Sequence, residues 1–319
     1  MTSQTNTAIL LAAGSWDTEP WTKAIRAGAP NRPLHIWPDL PDPSSIAYAL
    51  VWKPTEGTFS RLTNLRAIFS LGAGVDQLVG RPDLPDVPIV RVVNHDLTQR
   101  MTEWIVLQVL THHRQQKAYD RQQANRQWKE LSQPAAADMR VGIMGLGVLG
   151  GDAATALVRL GFQVAGWSRR PASLPDIESF HGTGMLNRFL ARTDILVCLL
   201  PLTPQTRDIL SMPLFEKLAR DGALGGPVLI NAGRGELQVE DDIVAAIEQG
   251  ILAGASLDVF RREPLDKASP LWDLPNVVIT PHAAAASVAD SVVPSILNQI
   301  RALEAGLPLE NCVDPDASY

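Results

Sequence analysis

Cysteine is almost missing from this chain: 319 residues contain two, Cys198 and Cys312. They form no C-x-x-C or similar spacing, which excludes a disulfide framework or a cysteine-held metal as the organising feature; no metal site is expected, and the usage fits a reducing, cytoplasmic compartment. Cys198 falls inside the apolar run "ILVCLL" and reads as a small core residue. No apolar stretch approaches the ~18 residues of a membrane span. The run "AILLAAG" near the start has no Lys or Arg before it, so a secretory signal is not expected. Positive charge is in deficit, 28 Lys and Arg against 34 Asp and Glu for a net charge of −6, which speaks against a nucleic-acid or membrane-surface partner. Internal repeats and low-complexity tracts are also missing.

The remaining composition is that of an ordinary globular protein, 45% hydrophobic and 19% charged. A prior of about 150 residues per domain suggests two domains. In the first third, "AILLAAG" (8–14), "PLHIW" (33–37), "YALVWK" (48–53), "LRAIFS" (65–70) and "VPIVRVV" (87–93) read as short strands. Turn residues or helical patterns separate them, as in a parallel sheet with helices on its faces. From Leu97 to about Trp128 there is no Gly or Pro, which predicts one long helix, apolar at first ("MTEWIVLQVL") and polar later. Its polar half is expected to project as an arm, either solvated or packed on a second subunit. After the linker-like "SQPAAAD" (132–138), six more strand candidates follow: "MRVGIMG", "FQVAGW", "DILVCLL", "GPVLINAG", "GASLDVF" and "NVVIT". This is a second doubly wound pattern. The helical stretch from about Ser287 to Glu304 is too short to be a domain and is expected to return to the first one. The fold class is therefore α/β, with two doubly wound parallel-sheet domains. A Rossmann cofactor domain (99–285) interrupts a flavodoxin-like substrate domain (1–98 plus 286–319).

The strongest local signal is "GLGVLG" (145–150), directly after an apolar strand and at the start of a helix. In that context Gly145 permits the tight turn, Gly147 lets backbone approach a pyrophosphate, and Gly150 allows close helix–strand packing. Leu146, Val148 and Leu149 complete the turn, and the helix N-terminus adds free N–H groups for the phosphates. The next strand ends in Ser168, Arg169 and Arg170, where NAD-binding proteins carry an acid for the ribose 2′-hydroxyl. Two guanidinium groups there suit a 2′-phosphate, with Ser168 as an additional hydroxyl donor, so NADPH is expected in preference to NADH.

Three further residues each follow a predicted strand: Arg234 in "LINAGRGE", Glu263 in "LDVFRREPL" and His282 in "VVITPHAAAA". Ligands of open α/β sheets bind at the carboxyl ends of the strands, where these residues fall. Taken together, the three favour chemistry over loop surface or a core histidine.

With these segments in place, the sequence resembles the D-isomer-specific 2-hydroxyacid dehydrogenase family. The resemblance runs through "LGAGVD" (71–76), "GLGVLG", "LPLTPQT" (200–206), "INAGRGE", "LDVFRREPL" and "TPHAAA". "ALVWKP", "FSLGAGVD", "WSRRP" and "SPLWDLP" resemble its glyoxylate/hydroxypyruvate reductase branch. The resemblance implies two doubly wound domains with the active site between them, and a homodimer. It implies that Arg234 binds the substrate carboxylate and polarises the keto oxygen, that His282 is the general acid in reduction, and that Glu263 hydrogen-bonds His282. It further implies that Leu71, Ala73 and Gly74 belong to a loop facing the substrate, that Asp258 meets the nicotinamide carboxamide, and that Leu200, Pro201, Asn231 and Ala232 line the cofactor cleft. By the same resemblance, Trp52, Met101 and Trp272 are expected to border the substrate pocket. Trp104, in "MTEW", stands where many relatives have a smaller residue. The expected function is NADPH-dependent reduction of small 2-keto acids. Alternatives are an NAD-dependent enzyme for D-lactate or a bulkier 2-keto acid, and a non-catalytic dinucleotide sensor.

Overall fold

A computed structural model describes residues 7–314. The chain divides into two compact units, one running to Leu97 and resuming at Ser287, the other spanning Thr98–Ala286.

The first unit is built on β1 (Ala8–Ala12), β2 (Leu34–Ile36), β3 (Ile46–Val51), β4 (Ala67–Ser70) and β5 (Ile89–Val90), with helix α1 (Glu19–Gly28) after β1. All strands are parallel, in the order β2-β1-β3-β4-β5. β1 and β3 are buried at every position. A strand covered on both faces has no polar side to show, which is why both read as unbroken apolar runs.

Helix α2 (His95–His113) leads into the second unit and α3 (Gln116–Ala124) follows. The single helix expected from Leu97 to Trp128 is thus two helices and an irregular tail, with the break at Gln115 in the left-handed conformation at φ 56. Along α2, Ile105 and Val109 are fully buried, and His113 meets the Phe162 ring edge-on at 5.0 Å. α3 buries no residue. Short helices owe their stability to an apolar face, and here the face runs out at the break. The chain then returns along α3: Leu131 N donates to the Tyr119 hydroxyl, Gln115 Nε2 to Ser132 O, and Gln133 Nε2 to His113 O. The polar segment folds back on itself instead of extending as one rod, and Trp128 is left fully exposed.

The second sheet contains β6 (Arg140–Met144), β7 (Gln163–Ser168), β8 (Glu178–His181), β9 (Ile195–Cys198), β10 (Val228–Asn231), β11 (Gly254–Leu257) and β12 (Val277–Ile279). Helices α4 (Val148–Arg159), α5 (Gly182–Ala191), α6 (Met212–Phe215) and α7 (Glu240–Glu248) lie between them. The order is β12-β11-β10-β9-β6-β7-β8, all parallel. Six strands were expected; the seventh, β8, is an edge strand with the sequence Glu-Ser-Phe-His and one buried residue. Period-two geometry splits the other strands between two cores. Ile195 and Val197 join Val141, Ile143, Val228 and Ile230 on one face, while Leu196 and Cys198 join Met144, Leu229 and Leu257 on the other. At the amino edge, the Arg140 guanidinium is bidentate to Asp194, at 2.9 and 2.7 Å, and reaches Asp221 at 2.6 Å. Those hydrogen bonds, Asp194 first, raise the Arg140 pKa above its already high ordinary value.

The last helix, α8 (Ala289–Glu304), belongs to the first unit. It packs against α1; Ile296, Leu297 and Ile300 on α8 are buried, as are Trp21 and Ile25 on α1. At its end Glu304 accepts from Arg32 at 2.9 Å and from the Tyr48 hydroxyl at 3.2 Å.

Candidate active site

The glycine turn leaves β6, the strand flanked by β7 and β9, where the connections change direction across the sheet. Doubly wound sheets open a crevice at that point. Gly145 has φ +105, a region side-chain-bearing residues avoid, and its missing Cβ would stand 2.8 Å from Leu199 O. A Cβ on Gly150 would lie on the carbonyl oxygen of Gly145, 1.8 Å away, so only glycine lets α4 start this close to the strand. Gly147 differs: a Cβ there would meet nothing within 4 Å. Open space above a bare backbone at the N-terminus of a 12-residue helix fits a pyrophosphate. Leu146 covers Gly166 of β7, Val148 is exposed, and Leu149 is half-buried.

Arg169 and Arg170 follow β7 at the same end of the sheet, and both are exposed. Ser168 Oγ donates to the Arg170 carbonyl at 2.6 Å. In this conformation its proton shapes the loop that carries the arginines, instead of being held out for a ligand.

Arg234, Glu263 and His282 follow β10, β11 and β12, three adjacent strands in parallel register. All three thus issue from the carboxyl ends of neighbouring strands. His282 Nδ1 faces both carboxylate oxygens of Glu263, at 3.0 and 2.9 Å. A carboxylate only accepts, so Nδ1 carries the hydrogen and Nε2 is the ring atom left to face a substrate. The two side chains are 34% and 29% exposed, so the pair is open to a ligand without being fully solvated. Glu263 is steadied by the backbone N–H of Phe260 at 3.3 Å. Arg234 is half-buried, and its Nη1 donates to Gly233 O at 2.7 Å.

The Arg234 loop is held from beneath by Asn231. This fully buried amide donates to Arg234 O and Gln238 Oε1 and accepts from Gly233 N. Its polar atoms are therefore spent within the loop. Leu200 and Ala232 are buried to 7% exposure and Pro201 is half-buried. Asp258, 2% exposed, receives hydrogen bonds from Thr280 and from the backbone after His282. Thr280 and Gln238 were not singled out from sequence, and Asn231 was expected to line the cofactor cleft, not to hold this loop. The "TPH" triplet is the one local signal that could have pointed to Thr280.

In the first unit, the loop after β4 carries Leu71, Ala73 and Gly74. The Leu71 side chain is fully buried, whereas Ala73 and Gly74 are partly exposed. Ser70 Oγ pins the loop through Gly72 O and Gly74 O. Trp52 packs beneath Gly72, where a Cβ would lie on its ring. It also stacks on Trp16 at 4.8 Å, and Trp16 stacks on Trp21 at 5.7 Å. In the second unit Met101 and Trp104 are buried, and Trp272 is 51% exposed with its indole N–H on Asp266 O. Burial pushes the Cys198 thiol up to about 12, so it is an inert core group. Among the described residues there is no helix long and apolar enough to cross a membrane and no cluster of potential metal ligands.

This geometry, a Rossmann turn with an acid–imidazole pair beyond its far strands, is the layout of a nucleotide-dependent dehydrogenase. The sequence model for the NAD-binding domain of D-isomer-specific 2-hydroxyacid dehydrogenases matches residues 106–284, and the chain belongs to that family. Within it, the chain is 36% identical over 310 residues to glyoxylate/hydroxypyruvate reductase A of Photorhabdus laumondii, covering 95% of this chain and 97% of that one. Among solved structures, NADPH-dependent glyoxylate/hydroxypyruvate reductase of Sinorhizobium meliloti, in complex with NADP and sulfate, superposes with a TM-score of 0.94. It is 47% identical, over 98% of this chain and 100% of that chain. A D-isomer-specific 2-hydroxyacid dehydrogenase from Xanthobacter autotrophicus Py2, in complex with NADPH and MES, gives a TM-score of 0.93 at 40% identity, over 98% of this chain and 99% of that one. The chain is thus an NAD(P)-dependent oxidoreductase of the glyoxylate/hydroxypyruvate reductase A-like branch.

Proposed function

We propose that this enzyme reduces small 2-keto acids, glyoxylate and hydroxypyruvate foremost, to 2-hydroxy acids with NADPH. The observation that carries the reading is the His282–Glu263 pair, with Arg234 on the neighbouring strand end. NADPH is the cofactor of the solved relatives and of this chain, and when bound it supplies hydride to the keto carbon. The Arg234 fork takes the substrate carboxylate and draws charge onto the keto oxygen. His282 gives its Nε2 proton to that oxygen as it becomes an alkoxide. Glu263 fixes the ring and offsets the positive charge of the protonated imidazole. Reduction leaves the ring neutral; a proton from solvent restores it.

The phosphate turn 145–150 cradles the pyrophosphate, and Arg169 and Arg170 read the 2′-phosphate. Leu200, Pro201 and Ala232 line the cofactor's path, Asn231 shapes the Arg234 loop, and Asp258 meets the carboxamide. The backbone N–H groups of Ala73 and Gly74 face the substrate carboxylate. Leu71 and Trp52 fix that loop, and the tryptophan stack supports it from beneath. The working form is proposed to be a cytoplasmic homodimer. The test is a panel of glyoxylate, hydroxypyruvate, pyruvate and phenylpyruvate, each assayed with NADPH and NADH. The reading requires the highest kcat/KM for the first two with NADPH; a preference for phenylpyruvate or for NADH refutes it.

A further inference from the structure

His282 stands in an unfavourable backbone conformation. Its φ is +54, in the left-handed region that side-chain-bearing residues enter only when their surroundings hold them there. The surroundings that do so converge on one residue. The Asp258 carbonyl accepts the His282 N–H at 2.7 Å. The Asp258 carboxylate accepts the Ala283 N–H at 2.9 Å and the Ala284 N–H at 3.1 and 3.0 Å. It also accepts the Thr280 hydroxyl at 2.5 Å. The turn from Thr280 to Ala284 is therefore gripped on both sides of the histidine by one carboxylate that is 2% exposed. Such a group cannot trade these donors for water without unfolding the turn.

We propose that Asp258 is a positioning residue for the general acid. It holds His282 in the left-handed conformation that aims Nδ1 at Glu263 and Nε2 toward the substrate, and Thr280 completes its grip. This rests on the reading of His282 as the proton donor. It gives the buried acid a task in catalysis separate from meeting the carboxamide. A small rotation at His282 would swing the ring off the 2.9 Å contact with Glu263, and proton transfer depends on placement within fractions of an ångström.

The test uses Asp258→Asn, Thr280→Val, Thr280→Ser and His282→Ala in the full enzyme, with kcat, KM and the NADPH dissociation constant measured for each. Asp258→Asn keeps the size of the side chain but turns one acceptor into a donor; it is expected to lower kcat about 10- to 100-fold, as loss of part of a positioned acid does. Thr280→Val removes one donor and is expected to lower kcat about 3- to 10-fold, roughly one net hydrogen bond. Thr280→Ser restores kcat to within about twofold, and NADPH affinity stays within about threefold in both Thr280 variants. If Asp258→Asn does not fold, the Thr280 pair carries the test. The decisive comparison adds Thr280→Val to His282→Ala. A residue that acts through His282 has nothing left to position, so the second substitution costs less than about twofold. Losses that multiply in the His282→Ala background, or an unchanged kcat in Thr280→Val, overturn the positioning role and leave the acid assignment standing. Wild-type turnover in His282→Ala alone overturns the acid assignment, and the positioning role falls with it.

Discussion

Replacing both Arg169 and Arg170 with Ala perturbs the feature proposed to separate this crevice from an NAD site. Both side chains are exposed at the end of β7, on a loop fixed by the Ser168–Arg170 hydrogen bond of 2.6 Å. Hydrogen bonds to a charged group are worth about 1.5–3 kcal/mol each. Exposure brings each contact toward the low end, because water and salt screen a surface ion pair. Two such contacts give a net of roughly 1.5–4 kcal/mol, which at about 1.4 kcal/mol per decade is a factor of order 10 to 10³. The double variant should therefore bind NADPH that much more weakly and bind NADH as before, since NADH presents a hydroxyl where NADPH presents a phosphate. Fluorescence titration with both cofactors reads the two constants directly, and raising the salt concentration should shrink the wild-type preference. A double variant that keeps its preference, or loses NADH binding in parallel, refutes the assignment.

Gly150→Ala places a methyl group 1.8 Å from Gly145 O, and the turn must open to receive it. The NADPH dissociation constant should rise at least about tenfold, or 1.4 kcal/mol; unchanged cofactor titration would contradict the close approach. His112 supplies a pH-dependent prediction. Burial, with repulsion from Lys117, pushes its pKa from 6.5 down to about 4, while Nε2 donates to Ser256 Oγ at 2.8 Å, whose hydroxyl donates to Gln108. Above pH 6.5 the ring is neutral folded or unfolded, and its contribution to stability is complete. As the pH falls toward 4, the unfolded chain takes up a proton that the fold refuses, so stability drops by at most about 3 kcal/mol at 1.36 kcal/mol per pH unit. His112→Gln keeps an amide donor for Ser256 and should flatten this slope in urea denaturation at a series of pH values; identical slopes would refute the account. Light scattering tests the homodimer, and a monomer at micromolar concentration would count against it.

Sheet class and strand positions were legible because the interior strands are covered on both faces and leave continuous apolar runs, as in "AILLA" and "ILVC". β8 was not, since an edge strand carries the polar sequence of a surface. The helix break at Gln115 was invisible for a related reason: no Gly or Pro marks it, and the chain turns where apolar neighbours end. At the site, residue types that announce chemistry stood out, among them the arginine pair, Arg234, Glu263 and His282. Their supports did not. Thr280 looks like any polar residue in sequence, and although the resemblance placed Asn231 in the cofactor cleft, only the fold shows that it holds the Arg234 loop and that Thr280 holds the turn of His282. Ser168, expected to offer its hydroxyl outward, gives it to the loop instead.

The proposed chemistry depends on proton donation by His282 Nε2, and glyoxylate-dependent NADPH oxidation by His282→Ala tests it most directly. A positioned acid is worth roughly 10²–10⁴ in rate. Turnover should fall by that factor while NADPH, titrated in the same sample, binds as it does to the wild type. Turnover within a few-fold of wild type would contradict the account.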